Sequence, residues 1–145
     1  MLIENGAKKY LNMIGRYDTF ITCKSAEVKE LYDKITNITC CLQEDAVSTS
    51  SNPDKVGNGV AKLVDLKNRI TEEIAQYVSL RQEAVTMLER LENHRHYEVL
   101  YKRYVLRMSF KKIGREMKCS CRNAQYLHDY ALEEFAKLME DEKTS

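Results

Sequence analysis

Arg122, Asn123 and Gln125 follow closely on Ser120, and all three carry side chains able to make two hydrogen bonds at once. Arginine matches the major-groove edge of guanine in this way, and asparagine or glutamine the edge of adenine. Just upstream lie Lys111, Lys112, Arg115 and Lys118, with Arg107 a little before them. Such cations suit phosphate oxygens, which fix position and register but carry no base information. Cys121 and Tyr126 complete the expected base-reading set, Cys121 lying close enough to Arg122 to touch a thymine methyl. The chemistry implied is non-covalent reading of double-stranded DNA.

Two short helices must position these groups. Ser109 and Ser120 sit where helix caps belong, and each is followed by helix-forming sequence. Between the two starts there is room for about two turns of helix and a three-residue corner, the spacing of a helix-turn-helix. Ile113 and Met117, four apart, turn inward from the first helix. Gly114 marks a point of close packing, because glycine inside a helix otherwise costs up to ~1 kcal/mol relative to alanine. In the second helix Ala124, Leu127, Ala131, Leu132 and Phe135 form the inward stripe. Its first turns then present Cys121, Arg122, Asn123, Gln125, Tyr126 and Asp129 outward.

Charge is partitioned to match. The chain has a formal net charge of +1, which alone says nothing about nucleic acid. From Arg95 to Leu132, however, nine Lys/Arg stand against three acids. Met1 to His94 carries twelve against fourteen, and Glu133 to Ser145 two against five. A basic block concentrated on one segment is what phosphate contact requires. Solvated surface lysines on a structural helical corner are the plainer alternative.

This segment resembles the fourth region of bacterial sigma factors, and more closely the phage and prophage regulators of the RinA/ArpU type. The matching residues are Leu100, Arg103 and Tyr104, then Ser109, Phe110, Ile113 and Gly114. After the corner come Ser120, Arg122, Leu127, His128, Ala131, Leu132 and Phe135, and the string Leu127-His128-x-x-Ala131-Leu132 favours the phage group. Gly114 stands where those families usually have alanine, a change expected to be harmless to packing. Lys118 replaces a common turn glycine, so a lysine must tolerate a left-handed conformation. Phe110 replaces a frequent tryptophan. The resemblance covers about a third of the chain strongly, and implies a transcription regulator of phage late or packaging genes.

The rest of the composition favours helices. The chain of 145 residues has one proline, no tryptophan, five glycines and 31% charged residues. Its start has no apolar core of signal-peptide length, and no stretch approaches the ~20 apolar residues that span a bilayer. A cytoplasmic protein without membrane contact is expected. The five cysteines, Cys23, Cys40, Cys41, Cys119 and Cys121, are odd in number and read as reduced thiols. Cys119-x-Cys121 with His128 lacks metal-knuckle spacing, so no metal and no cofactor are expected. Cys119 is expected to fill a small apolar slot of the corner.

The N-terminal part reads as long helices. Ala7, Ile14, Ile21, Val28, Ile35 and Leu42, with Tyr10, Tyr17, Lys24, Leu31 and Ile38, form a heptad seam with Lys24 its one fault. A helix from Ala7 to Leu42 would extend about 54 Å and cannot bury that seam alone. A second seam runs through Val60, Leu63, Lys67, Ile70, Ile74, Tyr77, Arg81, Ala84, Leu88 and Leu91. Folding the two back on each other gives an antiparallel, coiled-coil-like helical hairpin, with an intermolecular coiled coil as the competing solution. The hairpin's remaining apolar edge leaves room for a homodimer through these helices. The link, Gln43 to Gly59, reads as a loop, with Pro53-Asp54 starting a turn and Asn58 capping the second helix. At that length it is either disordered or a contact point for RNA polymerase or a second subunit.

His94 and His96 lie two apart and would face apart on a helix, making no metal pair. His128 either touches phosphate or supports the corner. Tyr97, Tyr101 and Tyr104 read as core of a supporting helix. No nucleophile motif, phosphate-cradling glycine loop or paired carboxylate appears, and no enzyme is expected. The expected fold is therefore all-α: a hairpin over 1–94 with its loop at 43–59, then a sigma-region-4-like helix-turn-helix over 95–145 ending in an acidic tail. The expected function is sequence-specific DNA binding in transcription regulation of phage or prophage genes, with RNA polymerase a further partner. The alternatives are a DNA-packaging subunit similar to small terminases, in which the DNA-binding part usually comes first, and a helical protein-interaction adaptor.

Overall fold

The computed structural model describes residues 2–44 and 53–144, and every regular element there is helical. In chain order these are α1 (Leu2–Glu44), α2 (Pro53–Glu89), α3 (His94–Leu100), α4 (Phe110–Glu116) and α5 (Cys121–Thr144). A π-helical turn, Tyr101–Val105, continues α3. None of these helices is long and apolar enough to cross a membrane. The contacts divide the chain into two units, one of Thr19–Val78 and one of Met1–Asp18 with Ser79–Ser145.

Within the Thr19–Val78 unit, α1 and α2 lie side by side and antiparallel. Phe20 stacks on Tyr77 with ring centroids 5.0 Å apart, Lys24 pairs with Glu73 at 2.6 Å, and the Lys67 ammonium lies over the Tyr32 ring. Partner numbers fall on α2 as they rise on α1, which is the signature of opposed directions. The polar faults of both seams are thereby satisfied: Lys24 finds a carboxylate and Lys67 an aromatic face. Ile21, Val28, Ile35, Ile38, Leu63 and Ile74 are half-buried, and Leu31 and Ile70 are buried.

The other unit holds the larger core. Ala7, Leu11 and Ile14 from α1 meet Ala84 and Leu88 from α2, and Leu91 from the corner after it, in one cluster. Val99, Leu100, Tyr104, Val105 and Met108 join from α3 and its continuation, and Ile113 and Met117 from α4 and its end. From α5 come Ala124, Ala131, Leu132, Phe135 and Ala136. The Tyr10 ring tilts against Phe135 at 5.9 Å, and Arg81 pairs with Asp18 at 2.5 Å. Residues 1–18 and 79–94, expected to belong with the hairpin, are thus part of the unit that contains α3, α4 and α5. The boundary expected at residue 94 falls inside that unit.

Corners are closed by side chains. Asn93 Oδ1 accepts from the Arg95 and His96 amides and caps α3. Glu134 of α5 accepts from the Glu92 amide at 3.1 Å and also pairs with His96, while Glu142 pairs with Arg90. The acidic end expected as a tail is the last part of α5, and it ties that helix to the α2–α3 corner. The expected loop at 43–59 also differs. Residues 45–52 lie outside the described residues, Gln43 and Glu44 end α1, and α2 begins at Pro53. Proline suits the first helical position because its missing N–H has no helical partner there anyway. Asn58 is therefore inside α2 rather than at its cap.

Two buried glycines face different obstacles. A Cβ on Gly15 would overlap the guanidinium of Arg107, the mobile end of a long side chain. A Cβ on Gly114 would lie 2.8 Å from the Cys119 carbonyl oxygen and 3.1 Å from Ser120 backbone atoms, which cannot swing aside. Alanine in a helix interior gains roughly 0.5–1 kcal/mol over glycine, whereas overpacking against fixed backbone costs about 1–3 kcal/mol. Gly15→Ala should therefore leave stability unchanged or raise it by up to ~1 kcal/mol. Gly114→Ala should lower it by about 1–2 kcal/mol, both read from urea denaturation midpoints. Equal shifts of the same sign would contradict the assignment of Gly114 to a fixed backbone approach.

Candidate nucleic-acid interface

The candidate interface begins with the corner between α4 and α5. Ser109 Oγ accepts from the Lys112 amide at 3.2 Å and starts α4. Ser120 Oγ accepts from the Asn123 amide at 3.0 Å and starts α5. Each serine thus satisfies one of the four amides that a helix start leaves unpaired. At the end of α4, Lys118 takes φ 58° and the Cys119 amide donates back to the Gly114 carbonyl at 2.8 Å. This is the left-handed helix ending usually supplied by glycine. The left-handed lysine expected from the sequence is present. Gly114, expected to mark close packing, does so: the corner backbone passes too near it to leave room for a Cβ.

A second left-handed residue, Arg107 at φ 57°, ends the π-helical turn. Arg103 braces that exit: its Nη1 donates to the Met108 carbonyl at 3.1 Å, and its guanidinium lies 4.2 Å from the Phe110 ring centroid. Arg107 itself, expected as a phosphate contact, is exposed but turns its guanidinium over Gly15 of α1. It is the one member of the cationic set with such a packing role.

The first turns of α5 are open. Cys121, Arg122, Asn123, Gln125 and Tyr126 are all exposed, as are Lys111, Lys112, Arg115 and Lys118. No ion pair holds any of these four cations among the described residues. By contrast Lys102, also basic and nearby in sequence, is engaged by Glu98 and Glu116. Arg122 is held along its own helix, its Nε donating to the Tyr126 hydroxyl at 3.2 Å with the guanidinium at 5.8 Å from the ring. The contact is one helical turn long, so it extends the arginine along the exposed face rather than into the core. Among the described residues no group of His, Cys, Asp and Glu is arranged to hold a metal ion.

Beneath this face His128 is buried, 5% exposed, and resolves the choice left by the sequence in favour of support. Its Nε2 lies 2.7 Å from the Tyr104 hydroxyl and its Nδ1 3.3 Å from Asp129 Oδ1. The ring sits against Tyr104 and edge-on to Phe110. Burial pushes the imidazole below its ordinary range, against the pull of the Asp129 carboxylate, and pushes the Tyr104 hydroxyl up to about 12. The arrangement that fits both shifts is a neutral imidazole donating from Nδ1 to Asp129 while the tyrosine O–H donates to Nε2. Helical periodicity placed His128 beside the inward stripe, but one polar residue on an apolar flank gave no reason to prefer core over phosphate.

Two outcomes follow from this geometry. A folded histidine with a depressed pKa stabilises fully above the unfolded value, about 6.5, and less as pH falls through it, because the unfolded chain then binds the extra proton. Wild type should lose more stability than His128→Gln between about pH 7.5 and about pH 5.5 in urea melts. Parallel acid slopes would mean that the ring is not held neutral. Lys118→Gly removes left-handed strain of about 1–2 kcal/mol and adds glycine's freedom in the unfolded chain, roughly 0.5–1 kcal/mol. It should raise stability by up to ~1 kcal/mol in the same assay, and a loss would show that the lysine side chain supports the corner.

No protein-family model matches the chain, and no curated protein or solved structure matches it.

Proposed function

We propose that this chain is a sequence-specific double-stranded-DNA-binding regulator of phage or prophage transcription. In this reading α4, its corner and α5 act as a sigma-region-4-like helix-turn-helix, and the paired N-terminal helices form a hairpin that serves self-association. Arg122, Asn123, Gln125, Tyr126 and Cys121 read base edges, while Lys111, Lys112, Arg115 and Lys118 hold phosphates. RNA polymerase is a further partner, and the cytoplasm the place of action. The observation that carries the reading is the exposed start of α5, where bidentate side chains stand beside cations without carboxylate partners. The basic count of the Arg95–Leu132 segment and the residues it shares with sigma-type regulators support it further.

The physical division of labour is testable. Base contacts discriminate between sequences by about 1–3 kcal/mol each, whereas each phosphate contact contributes about 0.9 to the slope of log affinity against log salt. Selection of bound sequences from a random DNA pool at two salt concentrations should return a preferred site. Arg122→Ala should then reduce the ratio of specific to random affinity roughly 5- to 100-fold. Lys112→Ala should weaken both classes about equally and flatten the salt slope by about 0.9. An unchanged ratio for Arg122→Ala, or a pool that yields no preferred site, refutes sequence reading by this helix.

A further inference from the structure

We infer that a second copy of this chain covers one long face of the Thr19–Val78 unit and closes it into a four-helix bundle. This rests on the self-association in the reading above and is independent of DNA recognition. On each helix a stripe shares alternate seam positions and adds a flanking row on one side of the seam. On α1 it runs through Ile21, Val28, Tyr32 and Ile35, with the hydroxyls of Ser25 and Thr39 between them. On α2 it runs through Val60, Val64, Lys67, Thr71, Ile74 and Val78. Both are spaced four and three alternately, so each lies along one side of its helix.

The Lys67 ammonium lies over the Tyr32 ring, 5.7 Å from its centroid, which brings the two stripes to the same groove. Lys67 is the one charged residue among the twelve, in a chain with 31% charged residues. Tyr32 and Val78 are 58% and 48% exposed, and Val60, Val64, Ile21 and Val28 are half-buried. The opposite edge of the pair carries Glu27, Lys34 and the Lys24–Glu73 ion pair, next to Phe20 stacked on Tyr77.

Size and chemistry select the occupant. The stripes extend about 27 Å at 1.5 Å per residue, and two helices side by side are about 20 Å across. That is on the order of 550 Å² per copy, or about 1,100 Å² for two, which clears the roughly 1,000 Å² that a specific interface needs and matches a weak, reversible dimer. A nearly charge-free face offers a nucleic acid or a charged partner nothing to hold. Across a two-fold axis it opposes no charges but the two Lys67 ammonium groups, each seated over a Tyr32 ring, and short hydroxyls allow close approach. Among the described residues of the unit, Leu31 and Ile70 are the buried apolar side chains, so covering this face completes a core that two helices leave half open.

The test is the mass of the full chain in the absence of DNA, by sedimentation equilibrium. The expected value is twice the 16.9 kDa of one chain. Thr71→Glu with Val78→Glu, both at exposed positions, should give the mass of a single chain with the helical circular dichroism retained. Glu27→Lys, on the opposite edge, should leave the doubled mass. If the double variant loses helix, Tyr32→Glu carries the same test from a position of the face that is 58% exposed. A single-chain mass for wild type at about 100 µM overturns the proposal, as does a ring of many copies or a doubled mass in a folded face variant. Arg122→Ala should keep the doubled mass, so a failed DNA reading and a failed interface are told apart.

Discussion

Burial of the inner face of α5 is the constraint on which the unit containing it depends. Phe135 is fully enclosed, and Ala124 and Ala131 are small enough to let neighbouring helices come close. Neither α3 nor α4 is longer than two turns, so neither is stable by propensity alone, and each takes its stability from packing on α5. The same inner face that holds them leaves the first turns of α5 with an outer side having no packing duty. Exposure of Arg122, Asn123 and Gln125 is therefore a by-product of where the alanines and Phe135 fall in the helical repeat.

The polar groups around that core act as fasteners. Tyr104 and His128 satisfy each other beneath the helix, and no buried side-chain nitrogen or oxygen among the described residues lacks a partner. Glu134 ties α5 to the α2–α3 corner, and Arg103 ties the exit of the π-helical turn to Phe110. Such bonds contribute about 1 kcal/mol each, less than the apolar face does. They fix direction instead: each joins the end of one helix to the side of another.

Much of this was readable from residue types and spacing. The serine caps and the inward pair Ile113 and Met117 followed from local rules, because caps and corners are decided within a few residues, whereas the left-handed Lys118 was expected only from the resemblance. Every position of the second heptad seam is at least partly buried, including Lys67 and Arg81. What the heptad missed is Leu11, which is fully buried off the seam, and Gly15, buried under Arg107. A heptad describes one partner, and the first turns of α1 meet several. The start of α2 was misread because glycine, asparagine and proline density marks a loop, whereas Pro53 opens a helix and the glycines are carried along inside it. The partners of Asp18, Glu134 and Glu142 were out of reach for a different reason: long-range ion pairs leave no local pattern.

Tyr10 against Phe135 joins segments from far apart in the sequence, and this has a kinetic side. Closing so large a loop is entropically unfavourable until α5 is available to supply the contacts that compensate. The pairing of Phe20 with Tyr77 and of Lys24 with Glu73 spans shorter loops, and α-helical neighbours of that kind zip quickly. During synthesis, then, Leu11 and Ile14 can meet Ala84 and Leu88 first, but the Tyr10 ring must wait for Phe135 until α5 leaves the ribosome. The region proposed to read DNA is thus the one whose core cannot close on a truncated chain.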